Sequence, residues 1–447
     1  MPDMHGSDIT KAGDYKISKM VLKSGINEKY VDIRGLYTNF EVFEDMFSPY
    51  ITAKIYMIDS VNLPEQLPIR GQETLELEFV TDFSEVKPVK KTFKVYKIDS
   101  QIIDDNGRGQ EYVLHLISEG GYFNYTERCG YSVKGKVSEM AQEIFKKHFP
   151  EYLWKDKLDI EQTADNFSFV LPWGYSPFKA LTWLARKAVV GVDTDYSPFF
   201  FYESMDGYKF KSLNKIIEDG EKFKDKYYFV KSNVNRNIEN NEGSGIKTGS
   251  ASKLPSMYHR IQSLKEDMRF DMIENIGSGV IGSHMTVHDM MRKEKREYYF
   301  KESDIFEKVK KIGKNPHYIK SDTKESNEFF EKSNSAYFFV PFTPYTVFTD
   351  SNQITDNSRV EEYFLNRKYM VNTMLTQKLV VEIYGDSEKR VGQLMEVFVP
   401  KVAADGHLLD EPEDKNLSGD YIITSICHRF GKKYACRMEL SRNCMGV

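Results

Sequence analysis

A chain of 447 residues exceeds what one ordinary hydrophobic core organises, so roughly two to four domains are expected. With 40% hydrophobic and 14% aromatic residues it has the apolar surface to fold, which excludes a disordered polar tail. The formal net charge of −5 argues against a specific nucleic-acid partner, because phosphate binding needs a concentrated basic face.

No apolar run approaches the ~18 residues that cross a bilayer, so no membrane insertion is expected. The opening MPDMHGSDITKAGDYK lacks the charged-then-apolar pattern of a secretion signal, and the chain reads as made and folded in a cytoplasm. Cys129, Cys427, Cys436 and Cys444 are too few and too scattered for a disulfide framework.

Residues 1–13 read as a loose polar arm. From Tyr15 to Ser118 the text is strand-like. Leu75, Leu77 and Phe79 alternate with Thr74, Glu76 and Glu78, and Ile51, Ala53, Ile55 and Met57 alternate with Thr52 and Lys54. The break VNLPEQLPIRG holds Pro64, Pro68 and Gly71 and is a loop or short helix; DDNGRG at 104–109 is a hairpin turn. Residues 14–121 thus form a first tube-like β-barrel.

Residues 122–232 change character to a small α+β domain. SVKGKVSEMAQEIFKKHFP predicts a helix capped by Ser132, with Pro150 beyond its end. SPFKALTWLARKAVV predicts another, with Ser176 as cap and Pro177 at its first position. FFFYESMDGYKFKSL is a hairpin turning at Asp206-Gly207. Residues 233–254, polar and rich in Gly, Asn and Ser, form a linker.

Residues 255–300 and 351–447 are assigned to a second tube-like β-barrel, split by a loop-rich insertion at 301–350. A helix-like run precedes Gly277. After it the final block opens with a helix capped by Ser358, with Glu361 at the capping-box position. Val360, Tyr363, Phe364, Val371, Met374 and Leu375 recur along it at helical spacing. Four strand-like runs follow: KLVVEIYG, QLMEVFVP, DYIITSICHRF and KYACRMELSR. In the last, Tyr434, Cys436, Met438 and Leu440 share the apolar face. The fold class expected is α+β: two tube-like β-barrel domains, a small α+β domain between them and a loop-rich insertion.

The order YGD at 384–386, VG at 391–392, Pro400 and SGDYIITSICH at 418–428 resembles the closing domain of contractile-tail hub proteins. LPWGYSPFKALTWLARKAV followed by SPFFFYESMDGYKFKSL, and the spacing Ile276, Gly279, Gly282-Ser283, His288-Asp289, Lys293, match the same family. That family is the baseplate central hub protein of contractile-tailed (T-even-type) bacteriophages, related to the hub part of type VI secretion spikes. The resemblance implies a structural virion protein, not an enzyme, sited in the tail baseplate and assembled in the host cytoplasm. It implies a homotrimer whose paired barrels make a pseudo-hexameric ring used in genome ejection. The implied partners are further copies of itself, the tail tube or a tube-initiator protein, a trimeric central spike protein and baseplate wedge proteins. Two alternatives stand beside it: a tail-associated cell-wall hydrolase, and the hub of a type VI-like injection machine.

The residues offer several candidate chemistries, each with a plainer reading. Gly277-Ser278-Gly279-Val280-Ile281-Gly282 fits G-x-G-x-x-G but lacks a βαβ setting, so it reads as a permissive turn. His284 and His288 have the spacing of helical zinc ligands, yet Met285 stands where a metalloprotease needs Glu. Cys427-His428 with Cys436 and Cys444 suggests a metal, but no C-x-x-C is present and buried apolar cysteines fit better. Asp193 and Asp195 sit in a surface-loop text, and no acid stands out in an apolar setting that would serve a glycosidase. Arg292-Lys293-Glu294-Lys295-Arg296 reads as a solvated face, and Met268, Met272, Met285, Met290 and Met291 as core packing. No catalytic, cofactor-binding or metal residue is assigned, and no cofactor is expected.

Overall fold

Period-two alternation dominates the chain, and the fold it builds is mostly sheet. The computed structural model describes residues 12–81, 88–103, 109–164, 166–190, 197–229, 259–268, 270–289, 293–319, 334–342, 360–374, 376–401 and 413–446. The 233–254 linker, the 104–108 turn, Ser358, Leu375, Asp193, Asp195, Met290, Met291 and Arg292 lie outside these residues.

The first unit comprises β1 (Tyr15–Lys23), β2 (Tyr30–Asp32), β3 (Tyr37–Asp45), β4 (Thr52–Asp59), β5 (Thr74–Thr81), β6 (Val89–Ile103) and β7 (Gln110–Ser118). They pair in the order β3-β4-β7-β6-β5-β1-β2. As the alternation predicts, Leu75, Leu77, Phe79, Ile51, Ala53, Ile55 and Met57 are buried. Their polar neighbours form cross-strand ion pairs such as Lys19–Glu76 at 2.6 Å on the wet face.

The middle segment folds around its own aromatic core of Phe145, Phe178, Phe201 and Tyr208. It contains β8 (Ser132–Lys136), α1 (Val137–His148), β9 (Leu158–Ile160), β10 (Asn166–Val170), α2 (Pro177–Ala185), β11 (Phe199–Ser204), β12 (Gly207–Ser212) and α3 (Leu213–Glu221). Ser132 does not cap a helix. Residues 132–136 pair with 166–170, so the helix begins only at Val137, where Glu139 accepts from the Lys136 amide at 3.2 Å. Ser176 does precede α2 and Pro177 opens it, but the Ser176 hydroxyl makes no capping bond.

The remaining elements are β13 (Asp225–Phe229), β14 (Arg260–Met268), β15 (Gly282–Asp289), β16 (Glu294–Lys301), β17 (Ala336–Phe342), α4 (Val360–Met374), β18 (Gln377–Tyr384), β19 (Leu394–Phe398), β20 (Gly419–Phe430) and β21 (Tyr434–Arg442). The ring β19-β13-β14-β18-β21-β20 closes on itself through β19–β20, giving a closed 6-strand barrel. Gly392 (φ +90°) and Gly419 (φ +127°) make the left-handed turns that admit β19 and β20.

Three sequence expectations change here. Strand β13, placed by sequence within 122–232, is a stave of the barrel, held between β14 and β19. The helix-like run before Gly277 is helical only over Met272–Gly277; its earlier part, 260–268, is strand β14, because β13 and β18 supply pairing on both of its edges. Strands β15 and β16, assigned to the barrel, instead form a separate three-stranded sheet with β17, so the insertion begins earlier than 301. Glu302, buried beside this sheet, accepts from the His317 amide and the Tyr369 hydroxyl, both at 3.1 Å, and ties the segment to α4.

The two β units are not separate beads. Strand β3 pairs antiparallel with β20, from Asp45↔Ser425 to Phe40↔Phe430, so a 13-stranded sheet runs through both. Their cores merge around Phe430, which stacks on Tyr434 at 4.4 Å and packs against Phe79 at 4.8 Å and Tyr15 at 5.4 Å. The Gly13 carbonyl accepts from the Tyr434 amide at 2.8 Å, returning the start of β1 to the β20–β21 hairpin. Among the described residues no helix is long and apolar enough to cross a membrane.

Candidate functional site at the seam

The β11–β12 hairpin ends at Ser204-Met205-Asp206-Gly207, and that tip inserts where the two β units meet. Gly207 adopts φ +135°, and a Cβ there would stand 2.1 Å from the Lys157 carbonyl oxygen. Three carboxylates fasten the hairpin.

Glu203 faces the first unit. It is 3% exposed, and it accepts from the Ile51 amide at 3.2 Å, from the Ser118 hydroxyl and from Lys91 Nζ at 2.7 Å. Asp206 faces the barrel, accepting from Arg390 Nε at 3.0 Å. Arg390 Nη1 donates back to both the Ser387 and Lys389 carbonyls, at 2.5 and 2.8 Å. Glu44, on β3, holds the centre: Oε2 accepts from the Met205 amide at 3.2 Å and Oε1 lies 3.2 Å from His428 Nε2.

A relay continues from His428. Its Nδ1 stands 2.7 Å from the Tyr434 hydroxyl, which donates to the Asp386 carbonyl at 3.1 Å. Burial disfavours charge on His428, but the Cys436 sulfur and the Glu44 carboxylate outweigh it and push its pKa up to about 9. With both ring nitrogens protonated, Nε2 donates to Glu44 and Nδ1 to Tyr434, and every member of the chain is satisfied.

A cleft of about 820 Å³ opens beside the hairpin tip. It is lined by cations, but each is paired: Lys211 and Lys222 with Asp219 at 2.7 and 2.9 Å, Lys389 with Asp225 at 2.5 Å. Burial alone would raise the Asp219 pKa; Lys211 and Lys222 overcome it and bring it down to about 2. These walls hold elements together and leave little unpaired charge to bind a ligand.

The sequence candidates fall elsewhere. Gly277–Gly282 stands between a short helix (Met272–Gly277) and β15, the reverse of the strand-then-helix order that cradles a pyrophosphate. His284 and His288 lie on a strand, about 13 Å apart at strand rise, and do not share an ion. His284 stacks on Tyr299 at 4.4 Å instead. The structure does bring Cys436 beside His428, at 3.5 Å, while Cys427 lies on the other face and Cys444 bonds to Asn443. Met285 is fully buried, whereas Met268 and Met272 are half-exposed. Among the described residues no three His, Cys, Asp or Glu side chains converge to hold a metal.

Three acids that the sequence did not single out are buried, each among polar partners rather than in an apolar pocket. Glu44, Glu203 and Glu302 are 1%, 3% and 3% exposed. The signal was present for Glu44, which shares the strand register of the buried Phe40 and Val42 in FEVFED.

No protein-family model matches the sequence, and no curated protein matches it. Solved structures do. The 43 kDa tail protein of prophage MuSo2 from Shewanella oneidensis superposes with a TM-score of 0.53 at 10% identity, over 95% of this chain and 99% of that one. A tail protein from Neisseria meningitidis gives 0.49 at 10% identity, over 96% of each chain. A type VI secretion component from E. coli gives 0.42 at 8% identity, over 97% of this chain and 78% of that one. The last two likenesses are too distant to bear weight. The resemblance read from the sequence is carried by the fold: over nearly its whole length this chain is built as the Shewanella prophage tail protein is built.

Proposed function

We propose that the protein is the structural hub of a contractile-tail baseplate. Three copies form a pseudo-hexameric ring, each giving two β units to it. One side of the ring seats the tail tube or a tube-initiator protein, and the other seats a trimeric central spike; wedge proteins surround it. The protein acts in the virion tail, and its role in genome ejection is mechanical rather than enzymatic.

The observation that carries this reading is the β3–β20 pairing, which fuses two β units of one chain into a continuous sheet with a merged core. A ring that must present sixfold symmetry from three chains needs two such units held in a fixed relation. The ion-paired hairpin at the seam supplies that rigidity. Likeness to a prophage tail protein over nearly the full length supports the same reading. Light scattering of the purified full-length chain tests it. A mass of three chains is expected, and monomer alone at high concentration, with no trimer when spike protein is added, contradicts it.

A further inference from the structure

At the C-terminal end of α1, away from the seam, three donor atoms converge. His148 Nε2 lies 3.6 Å from Cys129 Sγ and 3.0 Å from the Tyr131 hydroxyl, and that hydroxyl is also within hydrogen-bond reach of the thiol. The other ring nitrogen, Nδ1, is bonded to the Glu127 carboxylate. This fixes the tautomer: Nδ1 carries the proton, and Nε2 offers its lone pair inward. One lone pair then faces two would-be donors, a thiol and a phenol, which it cannot serve equally.

We propose that Cys129, His148 and Tyr131 form a binding site for a thiophilic divalent metal of the zinc class, with Glu127 orienting the histidine. The spacing fits. Tetrahedral zinc, with Zn–S about 2.3 Å and Zn–N about 2.0 Å, sets those two donors about 3.5 Å apart. The chemistry fits as well, since thiolate and imidazole together select zinc over magnesium or calcium. A ligating histidine that gives its second N–H to a carboxylate is the arrangement such sites use. The last carbonyls of α1 add a negative dipole end beside the site.

The pocket is largely closed to solvent: Cys129 is buried and the His148 side chain is 6% exposed. Lys147, whose Nζ lies 3.3 Å from the centre of the Tyr131 ring, stands beside the pocket, and its charge favours the deprotonated thiol. On binding, metal–sulfur and metal–oxygen bonds replace the thiol and phenol protons, which pass to solvent, and a water completes the tetrahedron. The metal would staple the end of α1 to the 127–131 segment, itself bridged to Tyr175 through the Cys129 amide at 2.7 Å.

Cobalt(II) titration of the reduced, tag-free full-length chain tests this. We expect a thiolate-to-cobalt absorption in the near ultraviolet that saturates at about one cobalt per chain and is bleached by zinc. Cys129→Ser, with a native circular dichroism spectrum, loses that absorption, and Cys444→Ser keeps it. Glu127→Gln keeps it with about 10–100-fold weaker affinity. Absence of the absorption in the wild-type chain, its survival in Cys129→Ser, or unchanged affinity in Glu127→Gln overturns the proposal.

Discussion

His428 and Glu44 stand 384 positions apart in sequence and 3.2 Å apart in the fold, fully buried where β20 of the barrel meets β3 of the first unit. The pair joins the two β units electrostatically where the β3–β20 ladder joins them by backbone. Its protonation is therefore coupled to the integrity of the seam.

The folded pKa of His428, about 9, lies above the ordinary histidine value of 6.5. A raised pKa means the native state holds the proton more tightly than the unfolded chain. The stabilisation is fully present below pH 6.5 and is lost as pH rises through about 9. Wild-type melting temperature should fall over that window, and His428→Gln should flatten the fall. His428→Ala at pH 7 should cost about 3–5 kcal/mol, because it strands the Glu44 charge. Melting curves from pH 6 to 10 on both variants check this, and parallel pH profiles would contradict it.

Glu203→Ala leaves the part-buried Lys91 without its ion-pair partner and the buried Ile51 amide without an acceptor. A loss of about 3–5 kcal/mol is expected in chemical denaturation. Asp206→Asn, whose carboxylate is 57% exposed, should stay within about 1 kcal/mol of wild type. The contrast separates the buried anchor of the hairpin from its exposed one.

Leu440 is fully buried on β21, opposite Leu379 and Ile423. Leu440→Asp gives up roughly 1.5–3 kcal/mol of burial and adds a carboxylate in an apolar site, a large part of the ~5–15 kcal/mol that holds a typical domain folded. Glu439→Ala, one position earlier and paired only with Lys378 at 3.3 Å, should change stability by less than about 1 kcal/mol. Thermal melting distinguishes them, and only the Leu440 variant should fail to form tails.

Gly279 adopts φ +81°, and a Cβ there would lie 2.7 Å from Ala336 Cβ and 2.8 Å from Ser283 Cβ. Gly277, two positions before it, meets nothing within 4 Å. Gly279→Ala should therefore destabilise the β15–β17 sheet by about 1–3 kcal/mol, and Gly277→Ala should be neutral or slightly stabilising. Equal effects would point to a shared ligand role for the two glycines.

The strands were legible because burial on one face imposes a period of two, as Leu75 to Phe79 and Tyr434 to Leu440 show. The helix over 360–374 was legible from its spacing, but β14 was not. Ile261 is its one buried apolar residue, and its β18 partners lie up to 122 positions away in sequence, as in Ile261↔Ile383. The barrel's sixth stave, β13, was hidden for the same reason: ring closure is decided by distant neighbours. At the seam, Glu44 betrayed itself by register, whereas Glu203 and Arg390 gain meaning only once the hairpin is docked. Cys129 and His148 are 19 positions apart, with no spacing motif to mark them.

The central claim, that one chain supplies two subunit positions of a sixfold ring, is tested most directly by cryo-electron microscopy of intact tails. The account predicts three copies at the tube–spike junction, with the closed barrel and the first β unit alternating around the axis and the β3–β20 ladder unbroken in each copy. Six copies in the ring, or density for this chain away from the axis, would contradict it.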